Sequence, residues 1–233
     1  PRVLGRPGPW AQSPSSIGAT VRAGQEARRP VYRTVVTVFD QAGFDARLEW
    51  GVEGARVLAG ACRVVVVVDV LSFTTAIEVA VGRGAVVFPH RWPDAGAAAF
   101  ARRVGAELAG GRGEPSASRF SLSPVSLLDV PPGTRLVLPS PNGSAVAAAL
   151  ADAGAVVLAG CLRNASAVAQ LAREAGGEGP VAVVAAGERW PDGALRPAVE
   201  DLLGAGAVLD ALGGRPSPEA RTRSAVGGCP WRR

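Results

Sequence analysis

Five consecutive valines, Val64 to Val68, followed directly by Asp69, constrain this chain more than any other feature. β-branched side chains favour extended backbone. A run of them without polar alternation suits a strand covered on both faces, as in a parallel sheet flanked by helices. Four shorter runs have the same character: Ala85–Phe88, Arg135–Leu138, Ala155–Leu158 and Val181–Val184. Helix-compatible stretches follow them in turn, ending at Gly82 after the valine run and then spanning Asp94–Ala109, up to Ala153, up to Ala175, and Pro197–Leu212. Strands alternating with helices of this length form βαβ units, so the expected fold class is α/β with a mostly parallel sheet and helices on both faces. Upstream, Phe44–Trp50 alternates apolar and polar residues, which predicts a half-buried edge strand, and Gly51–Gly60 predicts a short helix. Residues 110–134, rich in Gly, Ser and Pro, are expected to be a lid, a hairpin or a long connection.

Charge position matters more than the net charge of +5. Residues 1–34 carry six Arg and one acid, and residues 215–233 carry five Arg and one acid. The segment 35–214 holds 14 Arg against 18 acids, so the body is mildly acidic and the basicity lies at the ends. The expected organisation is therefore a disordered basic extension over 1–34, an α/β domain over 35–214 and an atypical basic tail over 215–233. No run of Arg is interleaved with aromatic residues as a single-strand groove requires, so no nucleic-acid partner is expected. Three Cys far apart, without CxxC spacing, and a single His, His90, exclude a disulfide framework and any zinc site built on several histidines. With no apolar run of membrane-spanning length and no secretory h-region, a cytoplasmic location without membrane association is expected. A homo-oligomer is compatible with the sequence. The chain begins at Pro1 and contains no Met, which reads as a fragment or processed product.

Ligands of open parallel α/β sheets bind outside the carboxyl ends of the strands. At those ends the sequence places Asp69-x-x-Ser72-x-Thr74-Thr75, Ser140-Pro-Asn142-Gly143-Ser144, Arg163-Asn164 and Glu188-Arg189, in a chain otherwise dominated by Ala and Val. Each small polar residue has a plainer reading. Ser72, Thr74 or Thr75 suits a helix cap, Asn142-Gly143 ordinary turn chemistry, Asn164 another cap, and Arg163 a solvated charge. Yet Asn142-Gly143-Ser144 stands between a strand and a helix, where free amides and the helix dipole make a seat for an anion. Asp69 is harder to explain structurally, because a carboxylate closing a buried valine run needs a cation, a donor or a shifted pKa. Glu200-Asp201, on the last predicted helix, supplies further carboxylates. Oxygen ligands without a His or Cys cluster favour Mg²⁺ over zinc. The chain lacks GxGxxG, GxxxxGK[ST] and GxSxG, and Leu71 occupies the second acidic position of an Asp-x-Asp phosphatase motif.

In order and spacing, Val67-Val-Asp69-Val-Leu-Ser-Phe-Thr-Thr75, Ser140-Pro-Asn-Gly-Ser144, Gly160-Cys-Leu-Arg-Asn-Ala-Ser-Ala167 and Ala186-Gly-Glu188 with Glu200-Asp-Leu-Leu-Gly-Ala-Gly206 resemble the ComB-type 2-phosphosulfolactate phosphatases. The weaker Ser121-Leu-Ser-Pro124 joins them, and the resemblance spans about residues 39–212. It implies a three-layer α/β/α fold and Mg²⁺-dependent hydrolysis of 2-phospho-3-sulfolactate, a small anionic phosphomonoester, to 3-sulfolactate and phosphate on the way to coenzyme M. On that reading Asp69, Glu200 and Asp201 hold Mg²⁺. Ser72, Thr74, Thr75, Asn142, Gly143, Ser144 and Asn164 cradle phosphate oxygens, and Arg163 or Arg196 pairs with phosphate or sulfonate. Glu188 acts as base or outer ligand of the metal, beside Asp69 in the catalytic pair. The family continues into a further strand-and-helix region that Arg221–Arg233 does not resemble, so an altered C-terminus from about residue 222 is expected. A non-catalytic anion-binding or interaction protein that keeps the fold is the competing expectation.

Overall fold

A computed structural model describes residues 38–91, 96–111 and 118–221. The expected basic extension over 1–34 and the stretch from residue 222 lie outside the described residues. The valine run forms β2 (Val64–Val68), every residue of which is buried. It lies between β7 (Val181–Ala185) and β6 (Val156–Gly160), parallel to both, and β1 (Ala46–Trp50) pairs with β7 at the edge, giving the order β1-β7-β2-β6. Alternate valines face opposite layers. Val64, Val66 and Val68 pack with α5 (Ala165–Gly176) and α6 (Val199–Leu212). Val65 and Val67 pack with α1 (Gly51–Ala59) and α4 (Gly143–Asp152). Each fully buried valine contributes on the order of 1.5–3 kcal/mol. The result is an α/β/α arrangement with helices on both sides of a parallel sheet.

A second parallel set, in the order β3-β5-β4, consists of β3 (Val86–Arg91), β5 (Arg135–Ser140) and β4 (Glu107–Leu108). It shares a core with α2 (Phe73–Gly82) that includes Phe73, Ile77, Leu136 and Leu138. The region expected as a lid or long connection contributes to the same core through Phe120, Leu127 and Val130, so from residue 118 onward it is a packed wall. The helix expected over Asp94–Ala109 is shorter, as α3 (Ala97–Val104). Gly105, at φ 60°, takes the left-handed turn that ends a helix, and Glu107–Leu108 then pairs as β4. The loop expected after Val184 contains an antiparallel hairpin, β8 (Glu188–Arg189) with β9 (Leu195–Arg196). Of the tail expected over 215–233, residues 215–221 are described and are docked on β1. Pro216 bridges Ala46, Arg215 donates its N–H to Asp45 at 2.9 Å, and α7 (Pro218–Arg221) follows. No helix among the described residues is long and apolar enough to cross a membrane.

The register brings the carboxyl ends together. Val68 lies opposite both Gly160 and Ala185, and Arg91 lies opposite Ser140. The segments that leave β2, β5, β6 and β7 therefore emerge on one rim.

Candidate active site

Where β2 stops, the chain folds tightly around Asp69. Thr74 accepts the N–H of Asp69 on Oγ1 at 3.0 Å and returns two donors to the Asp69 carbonyl, its own N–H at 2.9 Å and its hydroxyl at 2.8 Å. This ties the strand end to the first turn of α2 and aims the Asp69 side chain across the rim. Its carboxylate then meets two helix N-termini. Oδ1 accepts the Phe73 N–H of α2 at 3.2 Å, and Oδ2 accepts the Gly143 N–H of α4 at 2.8 Å, with the Ser140 hydroxyl at 3.4 Å. The anion seat expected at Asn142-Gly143-Ser144 exists, but Asp69 itself occupies its Gly143 amide. Close approach requires a glycine there, since a Cβ on residue 143 would lie 2.4 Å from Phe73 Cδ1 and 2.6 Å from Asp69 Oδ2. Burial raises the Asp69 pKa, the Phe73 and Gly143 amides oppose that shift, and the nearby charge of Glu188 adds to it.

Asp201, in the first turn of α6, performs a related task. Oδ1 accepts the Val70 N–H at 2.7 Å and Oδ2 the Gly187 N–H at 2.9 Å, which clamps the segments leaving β2 and β7. Burial pushes its pKa up to about 7, the Val70 amide opposes this, and the negative charge of Asp69 reinforces it. Both carboxylates are buried, and neither forms an ion pair among the described residues.

The three-acid metal set expected of Asp69, Glu200 and Asp201 is not formed. No group of three His, Cys, Asp or Glu able to hold a metal occurs among the described residues. The reason is helical geometry. Glu200 and Asp201 are consecutive on α6, and successive residues point about 100° apart at 3.6 per turn. Asp201 is turned in, at 3% exposure, and Glu200 is only half-buried. Two buried carboxylates remain at the rim, Asp69 and Asp201, neither with a cationic partner among the described residues. Magnesium commonly takes one or two carboxylates and keeps several waters, so a site of this kind would need no third acid.

Beside these acids lies a cleft of about 430 Å³, whose wall includes Trp50, Arg56, Arg91, Asn142, Glu188 and Arg189. Asn142 donates Nδ2–H to Glu188 Oε2 at 2.8 Å. One strand-to-helix turn therefore touches both acids, Glu188 through Asn142 and Asp69 through Gly143. A larger, mostly apolar groove over Phe39, Trp50 and Val57 adjoins it, away from the acids.

The other expected site residues are engaged elsewhere. The Ser72 hydroxyl donates to the Leu122 carbonyl at 2.7 Å, and that of Thr75 donates to Val70 at 2.8 Å. The Ser144 hydroxyl is in very short contact with the Ser140 carbonyl. Asn164 accepts the Cys161 N–H at 2.8 Å and donates to the Ala159 carbonyl at 3.0 Å, which closes the β6–α5 turn. Arg163 is paired with Glu78 of α2 at 2.7 Å, and Arg196 stacks over Trp190 at 5.4 Å. None of these lines the cleft. Its arginines are instead Arg56, Arg91 and Arg189. Arg189 stands in the sequence as a polar strand-end residue without a role. Arg91 was obscured because Pro89 breaks the apolar run, although the strand continues through it to Arg91.

The fold and site are those of an α/β/α protein with buried acids and a partly cationic cleft beside the carboxyl ends of its parallel strands. The family model of 2-phosphosulpholactate phosphatase matches residues 56–225, so the chain belongs to that family and is an enzyme of the phosphatase type. No curated protein matches the chain.

Proposed function

We propose that this enzyme hydrolyses 2-phospho-3-sulfolactate, or a similar small acidic phosphomonoester, with Mg²⁺ at Asp69 and Asp201. The observation that carries this reading is the pair of buried carboxylates at one rim of the sheet, Asp69 at the end of β2 and Asp201 in the first turn of α6, neither with a cationic partner among the described residues. A magnesium ion held there would supply neutralisation of phosphoryl charge, the main need of phosphoryl transfer. Asp69 is pre-oriented by the Phe73 and Gly143 amides, so its ligand geometry costs no reorganisation. Arg91, whose backbone lies opposite Ser140 and whose guanidinium is 3.9 Å from Asp152 in an exposed pair, lines the cleft and would have to leave that weak pair to meet the phosphoryl oxygens. Glu188, held by Asn142, accepts a proton from the attacking water as the water oxygen bonds to phosphorus. The leaving sulfolactate oxygen takes a proton from solvent as the ester P–O bond breaks, and Glu188 returns its own proton to solvent, which restores the carboxylate.

A second reading, an anion-binding protein without turnover, draws on one observation. All four oxygens of Asp69 and Asp201 already accept backbone amides. Phosphate release from 2-phospho-3-sulfolactate, with added Mg²⁺ and with EDTA, separates the two. The phosphatase reading requires turnover that EDTA abolishes and Mg²⁺ restores. Stoichiometric binding of the substrate without phosphate release establishes the second.

A further inference from the structure

The cleft carries more guanidinium than a phosphoryl group needs, and it is arranged in two places. Arg91 ends β3, and its guanidinium lies 3.9 Å from Asp152 on the α4 side of the cleft. Arg56 and Arg189 stand on the side formed by α1 and the hairpin. Arg189 lies opposite Leu195 in the β8–β9 hairpin, and the Leu195 side chain packs on the start of α1, where a Cβ on Gly51 would lie 3.3 Å from its Cδ1. Arg56 stands on the same short helix, and both arginines line the cleft with Trp50. Asn142 and Glu188, joined by a hydrogen bond, line the same cleft.

Neither Arg56 nor Arg189 is committed to a strong partner. Arg56 contacts Glu53 one turn earlier, but the two side chains are 57% and 83% exposed, a setting in which ion pairs contribute little. Arg189 gives one of its five N–H donors to the Gly193 carbonyl at 3.1 Å. Three arginines against two acids, Glu53 and Glu188, make the wall net cationic, although the segment 35–214 as a whole is acidic. Planar guanidinium groups recognise sulfonate and carboxylate oxygens through paired N–H donors.

We propose that Arg56 and Arg189 form a second anion subsite that recognises the sulfonate or carboxylate of the substrate and sets specificity for phosphomonoesters bearing an additional negative group. The inference rests on the phosphatase reading for the location of the reacting end. Arg56→Gln and Arg189→Gln are tested separately for kcat/KM on 2-phospho-3-sulfolactate and on isopropyl phosphate, which lacks a second anion. The ratio of the two values should fall by about 10-fold or more in each variant, the effect of losing one charge-assisted contact. A ratio within about 2-fold of the parent value overturns the subsite. Calorimetric binding of 3-sulfolactate and of inorganic phosphate gives a readout independent of turnover. The variants should weaken 3-sulfolactate by about 10-fold more than they weaken phosphate. Equal weakening of both, or a parent protein that does not bind 3-sulfolactate, overturns the inference. Selective weakening in a protein that turns over neither ester leaves the subsite standing and removes the phosphatase reading.

Discussion

Gly143 is the point where the fold and the chemistry are most tightly joined, and Gly143→Ala tests that joint. The new methyl carbon would lie 2.4 Å from Phe73 Cδ1, 2.6 Å from Asp69 Oδ2 and 2.9 Å from Asp69 Cβ, all closer than van der Waals contact allows. Phe73 is 1% exposed and packed in the core beneath α2, so it cannot yield easily, and the Asp69 side chain must move. Overpacking of this kind costs about 1–3 kcal/mol. Lengthening the 2.8 Å bond from the Gly143 N–H to a carboxylate adds about 1.5–3 kcal/mol. The two terms overlap, because moving Asp69 relieves the clash by weakening the bond, so a loss of about 2–4 kcal/mol is expected. Urea denaturation measures it as a lower midpoint at unchanged slope. Phosphate release measured under conditions where the variant is still folded should drop by at least about 100-fold, since a displacement near 1 Å at a reacting group has that effect. Gly82→Ala is the control. It lies at the end of α2 with open space around its Cβ, and it should be neutral or stabilising by up to about 1 kcal/mol. A Gly143→Ala protein as stable and as active as its parent would refute the placement of Asp69 against the α4 N-terminus.

Three further outcomes follow from the same geometry. Asp69→Asn keeps the shape but turns an NH₂ group toward one of two amide donors; it should retain the fold and lower kcat/KM by at least about 100-fold, with the Mg²⁺ response of the rate lost. Asn142→Ala removes the 2.8 Å bond that orients Glu188 and should lower kcat by about 10-fold, the equivalent of one hydrogen bond near 1.4 kcal/mol, with a smaller effect on KM; an unchanged kcat would separate Glu188 from proton transfer. In EDTA, the raised pKa of Asp201 makes the folded state bind more protons than the unfolded state between the ordinary carboxylate range and about pH 7. Stability measured by urea should therefore fall as pH rises through that window, by on the order of 4 kcal/mol from Asp201, and Asp201→Asn should reduce the slope, the raised pKa of Asp69 leaving a remainder of the same sign.

The sheet was legible because its strands declare themselves locally. Val64–Val68 and Val181–Ala185 are buried on both faces, so their composition alone indicates parallel strands. Strand order was not legible. Nothing within Val181–Ala185 says that it lies between β1 and β2, because pairing is decided by contacts more than a hundred residues apart in the chain. Two local signals were present but unread. Gly105 after a short Ala-rich helix is a stop signal. Trp190-Pro-Asp-Gly-Ala194 is turn chemistry, with Asp192 accepting the Ala194 N–H at 2.9 Å, and it closes the β8–β9 hairpin. The position of Asp69 at the strand end was readable as well, but its partners were not. The segment holding Gly143 is 74 residues away, and only the register of two separate parallel sets brings it to Oδ2.

That long-range closure changes what the polar motif residues are for. Thr74, Ser144 and Asn164 read in the sequence as candidate phosphate ligands and Asp201 as a candidate metal ligand, since short polar groups at such positions serve either a ligand or the backbone. In the structure each satisfies backbone groups of its own rim: Thr74 at Asp69, Ser144 at Ser140, Asn164 at Cys161 and Ala159, and Asp201 at Val70 and Gly187. A motif of this type therefore encodes the shape of four tight turns as much as it encodes chemistry. Apart from the Mg²⁺ proposed at Asp69 and Asp201, the groups left to meet the substrate are those the turns hold in place without saturating, chiefly Glu188 and the arginines of the cleft. Specificity then resides in side chains on α1, β3 and the hairpin, outside the turns themselves. The rim residues can stay the same while the substrate changes, because an exchange at Arg56 or Arg189 alters the cleft wall without touching a single hydrogen bond of the Asp69 or Asp201 carboxylates.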